Sequence, residues 1–257
     1  MNEIILKPIY WASVSGGKDS LYMLNLILNN LERYPLNGVV HFELEIDYPF
    51  IKNVIDYMEQ RCKENNIVFH RIKPRTSWFE LYERWGFPTR KARWCNSQYK
   101  LDSLKQLEEF YKEKGFYIVS YIGYCVDETN RYNKRTKNEI YPLVENNIKE
   151  DYILEWAKQT PIFNNYYKFN RRCGCMYCPM ASKINLAYLL KYYPKNYDEF
   201  MKMTKDTELL RTKELGRKFS VWSSNPKYDT DYINNIIKTK WIYKLNLLEY
   251  KESRKEN

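Results

Sequence analysis

The stretch Ile9–Ser20, I-Y-W-A-S-V-S-G-G-K-D-S, constrains this chain more than any other. An apolar run leads into two glycines flanked by polar residues, and the apolar-periodic run Leu21 to Tyr34 follows at once. That order predicts a buried strand, a tight turn and a helix start. A helix N-terminus presents unpaired backbone N–H groups and the positive end of the helix dipole, so an anion is stabilised there. Gly16 and Gly17 permit the turn and a close backbone approach to a phosphate. Lys18 adds charge, and Ser15 and Ser20 add hydroxyl donors. A turn that is merely glycine-rich is the plainer alternative, but six small or polar residues in this order after a strand favour a nucleotide phosphate. The Walker form of such a loop needs glycine at position 12 and Ser or Thr at position 19, where this chain has Ala12 and Asp19.

Strand-like and helical runs alternate after the loop. Gly38–Glu45 and Ile67–Ile72 read as strands, Phe50–Lys63 as a helix with Val54, Ile55, Met58 and Cys62 on one face, Ser77–Trp85 and Ser97–Lys114 as helices, and Phe116–Tyr124 as a further strand. Tyr141–Leu143 reads as a short strand and Ile148–Lys158 as a helix with Glu150 and Asp151 near its start. Such alternation predicts βαβ units around a parallel twisted sheet, with the loop at its carboxyl edge. From Ser182 onward the chain reads as helical and basic, with helices near Leu186–Tyr193, Tyr197–Gly216 and Asp229–Tyr250 and a frayed end over Lys251–Asn257. We therefore expect an α/β domain over residues 1–165 and a cysteine loop with a helical C-terminal extension over 166–257. Interleaved Tyr, Lys and Arg in the extension fit either a nucleic-acid surface or a cap on the sheet, and the cap is the simpler reading.

The formal charge of +10 in 257 residues suits a polyanionic partner such as nucleic acid or nucleotides, though biased coding composition would give the same excess of lysine. No apolar run approaches the roughly 18 residues that cross a bilayer, and Met1-Asn2-Glu3 lacks signal-peptide character. A cytoplasmic protein without a membrane partner is the expectation. His41 and His70 lie in strand-like runs and read as structural, and Cys62 as a packed thiol.

Two further stretches carry chemistry. In G-Y-C-V-D-E-T-N-R, residues 123–131, a strand end delivers Gly123, Asp127, Glu128 and Arg131 to the carboxyl edge of the sheet. Asp127 or Glu128 is suited to hold Mg²⁺ or orient a loop, and Arg131 to clamp a phosphate oxygen; a solvated turn explains the composition equally well. In R-R-C-G-C-M-Y-C-P-M, residues 171–180, Cys173, Cys175 and Cys178 crowd into six residues. Such a run can wrap three thiolates around one centre, and Cys95 is the preferred fourth ligand because Arg90, Lys91, Arg93 and Lys100 surround it and favour thiolate. Four thiolates suit an iron–sulfur cluster first and tetrahedral zinc second; redox-active thiols without metal come third. Arg171 and Arg172 would offset the negative charge of such a centre.

The blocks S-G-G-K-D-S (15–20), R-W-C-N-S-Q-Y-K (93–100), G-Y-C-V-D-E-T-N-R (123–131), Y-P-L (141–143) and R-C-G-C-M-Y-C-P (172–179) together resemble the PAPS-reductase-like family of the PP-loop ATP pyrophosphatase (adenine nucleotide α-hydrolase) superfamily. The resemblance implies a Rossmann-like, HUP-type parallel sheet with flanking helices. It implies ATP with Mg²⁺, or an adenylyl-sulfate-type nucleotide, on Ser15, Gly16, Gly17, Lys18, Asp19 and Ser20, with Gly123, Asp127 and Glu128 beside it. Lys18, Asp19 and Arg131 are then the expected catalytic groups, and a [4Fe–4S] cluster (alternatively Zn²⁺) is expected on Cys95, Cys173, Cys175 and Cys178. No cysteine follows Cys178 and no histidine follows His70, so the thiol-bearing tail of sulfonucleotide reductases is missing from this sequence. Cys125 stands where many members have arginine, and offers a rival fourth thiol. The expected activity is cleavage of ATP to AMP and pyrophosphate with transfer of sulfur to a DNA or RNA acceptor, the sulfur coming from a donor such as a cysteine desulfurase. The alternatives are a sulfonucleotide reductase that borrows a thiol from thioredoxin, and a nucleotide-binding subunit without turnover.

Overall fold

A computed structural model of the chain describes residues 6–132 and 137–254. Met1–Glu3, read above for signal character, and the last residues of the frayed end lie outside the described residues. Five parallel strands form one sheet: β1 (Lys7–Ser13), β2 (Gly38–Phe42), β3 (Val68–Ile72), β4 (Phe116–Tyr121) and β5 (Glu139–Ile140), in the order β3-β2-β1-β4-β5. The order reverses between β1 and β4, whose register runs from Lys7 opposite Phe116 to Ala12 opposite Tyr121. At such a switch point the loops leaving the two strands diverge and open a crevice at the carboxyl edge.

The first helices are α1 (Lys18–Leu28), α2 (Pro49–Glu64), α3 (Trp78–Trp85) and α4 (Leu101–Glu113). Alternation along the strands sends Ile9, Trp11, Val40, Phe42, Ile72 and Ile118 to one face, where Leu107 and Tyr111 of α4 cover them. Trp11 is 2% exposed and stacks on His70 at 5.2 Å. On the other face Tyr10 stacks on Tyr121, and Tyr121 meets Tyr34 edge-on. His41 is buried there and its Nδ1 bonds the Val14 carbonyl at 3.0 Å; burial lowers its pKa, which keeps the ring neutral. Cys62 is buried on α2 and burial pushes its thiol up to about 12.

After β4 come the short helices α5 (Thr129–Tyr132) and α6 (Pro142–Glu145), then α7 (Glu150–Lys158) and α8 (Tyr166–Phe169). The expected strand over Tyr141–Leu143 is not formed. The edge strand is Glu139–Ile140, and Pro142 opens a helix. Proline has no N–H to give a ladder and is preorganised for the first helical position, so the chain turns helical there. Ser97 does not begin a regular helix either: Cys95–Lys100 form a π-type turn and α4 starts at Leu101.

The described residues divide into two compact units, one of residues 6–75, 100–132, 137–167 and 171–173 and one of 76–99, 168–170 and 174–254. The second unit holds α3, α9 (Lys183–Tyr192), α10 (Pro194–Leu215), α11 (Thr230–Ile236) and α12 (Ile242–Ser253). Its core is aromatic. Trp78 is fully buried among Tyr82, Phe87, Trp94 and Tyr177, and Phe87 stacks on Phe200 at 5.1 Å. Residues 197, 200, 201, 203, 204, 207 and 208 line the buried stripe of α10 at helical spacing. The last helical run is longer than expected and broken by a π-type turn over Ile237–Trp241, and it continues through Ser253. Among the described residues no helix is long and apolar enough to cross a membrane.

Candidate nucleotide site

The loop after β1 does what its composition predicts locally. Gly16 adopts φ +74°, a left-handed conformation that L side chains rarely take, and a Cβ there would lie 2.7 Å from Ile51 Cγ2 of α2. The two serines brace the turn. Ser20 Oγ donates to the Gly17 carbonyl at 2.9 Å and accepts from the Ser15 N–H at 3.3 Å, while Ser15 Oγ accepts from the Gly17 N–H at 3.4 Å. Gly17 is the N-cap of α1 and has no side chain with which to satisfy the first turn. Tyr167 supplies that partner from 149 residues away: the Lys18 N–H donates to its hydroxyl at 2.9 Å. Burial holds the Tyr167 pKa well above the usual phenol value, so the hydroxyl stays protonated.

Lys18 is 0% exposed. Its Nζ donates to Asp19 Oδ1 at 2.6 Å and reaches Glu150 Oε1 at 3.5 Å. Glu150, the first residue of α7, is gripped by Arg172, whose Nε and Nη2 donate to its two oxygens at 3.1 and 3.2 Å. The same guanidinium donates to Glu128 Oε1 at 2.9 Å, and Arg131 Nη1 donates to that oxygen at 2.7 Å. Glu128 Oε2 accepts the Cys125 N–H at 3.2 Å. Asp127 accepts the Glu150 N–H with both oxygens, at 3.0 and 3.3 Å, and so caps the start of α7. Gly123 abuts α1 directly; a Cβ there would lie 3.1 Å from the Asp19 carbonyl oxygen. Cys125 Sγ lies 3.8 Å from Asp19 Oδ1.

Lys18, Asp19, Asp127, Glu128 and Arg131 thus share one hydrogen-bonded network with Glu150 and Arg172 around α1 and the end of β4; Gly123 packs against it, and Ser15, Gly17 and Ser20 brace the turn beside it. Its electrostatics are divided. Burial raises the Asp19 pKa, Lys18 opposes that, and Glu128 and Glu150 reinforce it. Burial also pushes Glu150 up, but Arg172 and Lys18 more than offset this and leave its carboxyl below the usual range. Burial and the nearby Asp19 carboxylate raise the Cys125 thiol far above its ordinary value, so Cys125 is a neutral thiol. Sequence reasoning missed Tyr167, and took Glu150 and Arg172 for a helix-start acid and a counter-charge to the cysteines. The only local signal was an acidic pair, Glu150-Asp151, at a helix start.

The cysteines are placed differently. Cys173 belongs to the first unit, whereas Cys95, Cys175 and Cys178 belong to the second. A Cβ on Gly174 would lie 3.5 Å from Cys178 Sγ, so the backbone folds back on that thiol. Among the described residues no group of three His, Cys, Asp or Glu side chains is placed to hold a metal ion. The donor chemistry of these thiols suits a [4Fe–4S] cluster or zinc. Of the basic residues expected around Cys95, Lys100 acts on Asp47 of the first unit.

A parallel sheet with a 3-2-1-4-5 order and a Ser-Gly-Gly-Lys-Asp-Ser turn at its switch point defines a PP-loop α/β protein. A family model described as the phosphoadenosine phosphosulfate reductase domain matches residues 9–181, and the chain belongs to that family. An uncharacterized protein of Methanocaldococcus jannaschii is 27% identical over 222 residues, covering 77% of this chain and 49% of that protein. The chain therefore spans about half the length of the curated relative it matches. Among solved structures, the U34-tRNA thiolase NcsA from Methanococcus maripaludis with its [4Fe-4S] cluster is similar at 18% identity and a TM-score of 0.37, over 82% of this chain and 74% of that one.

Proposed function

We propose that the chain binds ATP with Mg²⁺ on Ser15–Ser20 and cleaves it at the α-phosphate to activate an acceptor for sulfur transfer. The observation that carries this reading is the fully buried Lys18, held between Asp19 and Glu150 at the start of α1 and at the sheet's switch point. A lysine ammonium fixed in such a buried network stabilises the negative charge that develops on a transferred phosphoryl group more strongly than it would in water, and the two carboxylates hold it in position. Membership of the family supports an adenine nucleotide as the ligand, and the missing Walker positions favour the α- over the γ-phosphate. An acceptor oxygen attacks the α-phosphorus, and the bond to the bridging oxygen breaks, releasing pyrophosphate. AMP then departs with the activated oxygen when a sulfur nucleophile displaces it. Lys18 and Arg131 stabilise the phosphoryl oxygens, Asp127 and Glu128 fix the loop after β4, and Glu150 holds the lysine.

Incubation with ATP and candidate acceptors should yield AMP and pyrophosphate, and Lys18→Ala should lower the rate at least 100-fold, as loss of one preorganised charge-stabilising donor does. Release of ADP and orthophosphate would overturn the reading. The family's description favours reduction of a sulfonucleotide as a second reading; sulfite released from adenylyl sulfate with added thioredoxin would select it. Iron, sulfide and zinc analysis after anaerobic purification tests the cysteines: about four irons per chain is the outcome expected of a [4Fe–4S] site.

A further inference from the structure

The second unit contains a cavity of about 1020 Å³ that the nucleotide site does not use. Two separate segments build it, the one following α3 and the one following α10, with Thr207 and Arg211 of α10 between them. Its volume lies at the upper end of the range of ligand pockets, roughly 300–1,000 Å³. Five cations line it, Arg90, Lys91, Arg211, Arg217 and Lys218, and none of its lining residues is acidic. Lys218 is paired with Asp229 at 2.7 Å and Arg211 with Glu214 at 2.7 Å. Arg90, Lys91 and Arg217 are exposed and form no ion pair among the described residues. Their positive charge is therefore available to a ligand.

Aromatic rings alternate with these cations. Trp85, Trp94 and Phe219 are half-buried and so keep part of a ring open, while Phe87 and Trp222 close the wall behind them. Hydrogen bonds fix the two indole rings Trp94 and Trp222, and others fix the backbone beside Phe87 and Trp222. Trp94 Nε1 donates to the Gly86 carbonyl at 3.0 Å, and Trp222 Nε1 to Thr230 Oγ1 at 3.0 Å. The Phe87 N–H donates to Thr207 Oγ1 at 2.7 Å, and Glu208 of α10 accepts the Val221 N–H at 2.9 Å. Cations that track phosphates and fixed rings on which bases stack are the two elements of single-strand recognition, and stacking is worth about 1–3 kcal/mol per base. A duplex keeps its bases inside the stack, where these rings cannot reach them.

We propose that this cavity binds a single-stranded polynucleotide, its phosphates on Arg90, Lys91 and Arg217 and its bases on Trp85, Trp94 and Phe219. As the place where an acceptor strand is held, it rests on the sulfur-transfer reading above; as a binding site it stands by itself.

The test is fluorescence anisotropy of the full chain with a labelled 12-nucleotide single strand, RNA and DNA in parallel, at 50 and 200 mM salt, without ATP. Single strands should bind at least tenfold more tightly than the matching duplex and weaken with salt. The R90Q/K91Q/R217Q variant changes only exposed side chains and should weaken binding at least tenfold and flatten the salt dependence. Phe219→Ala should weaken it at least fivefold, and Lys18→Ala should bind like the parent. Tighter binding of RNA than DNA, or the reverse, supports the site and identifies its source. Equal affinity for duplex, for a mononucleotide or for an acidic peptide would overturn it, as would a charge variant that binds like the parent. Strand binding without AMP formation would refute the proposed turnover and leave the cavity standing. AMP formation with no strand binding would refute the cavity alone.

Discussion

Lys18 and Glu150 set the conditions of the site residue by residue. A lysine with no exposure faces the carboxylates of Asp19 and Glu150, and Glu150 in turn is held by Arg172. Because the folded Glu150 carboxyl lies below the usual range, its stabilisation is fully present above about pH 4.5, the ordinary glutamate value, and is lost as pH falls through the lowered folded value. Glu150→Gln should therefore cost stability at pH 7, about 1–3 kcal/mol for a broken charged hydrogen-bond network, and cost less at pH 3. Urea midpoints across that range check it, and an unchanged midpoint at pH 7 would remove Glu150 from the account. Gly16→Ala adds a Cβ to a backbone at φ +74° and drives it against Ile51. Strain and overpacking together cost about 2–4 kcal/mol. Thermal melting should fall by roughly 5–15 °C and ATP affinity with it. A Gly16→Ala protein that melts and binds like the parent would mean that the turn does not hold this conformation.

At the scale of elements, the start of α1 is finished by a residue outside it. Gly17 cannot cap, so Tyr167 of α8 takes the Lys18 N–H, and Asp127 caps α7 in the same way from the loop after β4. In the second unit Glu208 ties α10 to the segment that follows it, accepting from both the Val221 and the Thr230 N–H groups at 2.9 Å. Glutamine offers one acceptor oxygen in place of two, so Glu208→Gln leaves one of these N–H groups facing an amide. Native-state hydrogen exchange should then speed up at least tenfold at Val221 or Thr230, a change of about 1.4 kcal/mol, while amides of β1 and β4 keep their protection. Exchange that is unchanged at both positions would show that the carboxylate does not hold the segment. The strand expected at Tyr141–Leu143 failed at this scale, because an apolar triplet does not reveal that its proline opens a helix.

For the whole molecule, pH acts through Asp47 as well as Glu150, and in the opposite direction. Burial lifts Asp47 to about 7, only partly offset by Lys100 and a backbone hydrogen bond from Leu44. Its folded pKa exceeds the ordinary aspartate value of 3.8, so its contribution is complete below that pH and is lost as pH rises toward 7. Unfolding free energy should fall by up to a few kcal/mol between pH 4 and pH 8, and Asp47→Asn should flatten that slope. A parent slope that survives in Asp47→Asn would assign it to other groups.

The sequence by itself determined the strand–turn–helix at Ser15–Ser20, the alternation that makes the sheet parallel, and the arrival of residues 123–131 at its carboxyl edge, because each rests on local periodicity and backbone sterics. Only the tertiary structure decided that Tyr167, Glu150 and Arg172 complete the loop, and that residues 85–94 meet residues 207–226 around one cavity. Those choices depend on packing between residues as many as 149 positions apart, and no local pattern in the chain records which distant side chain will fill a given hydrogen bond.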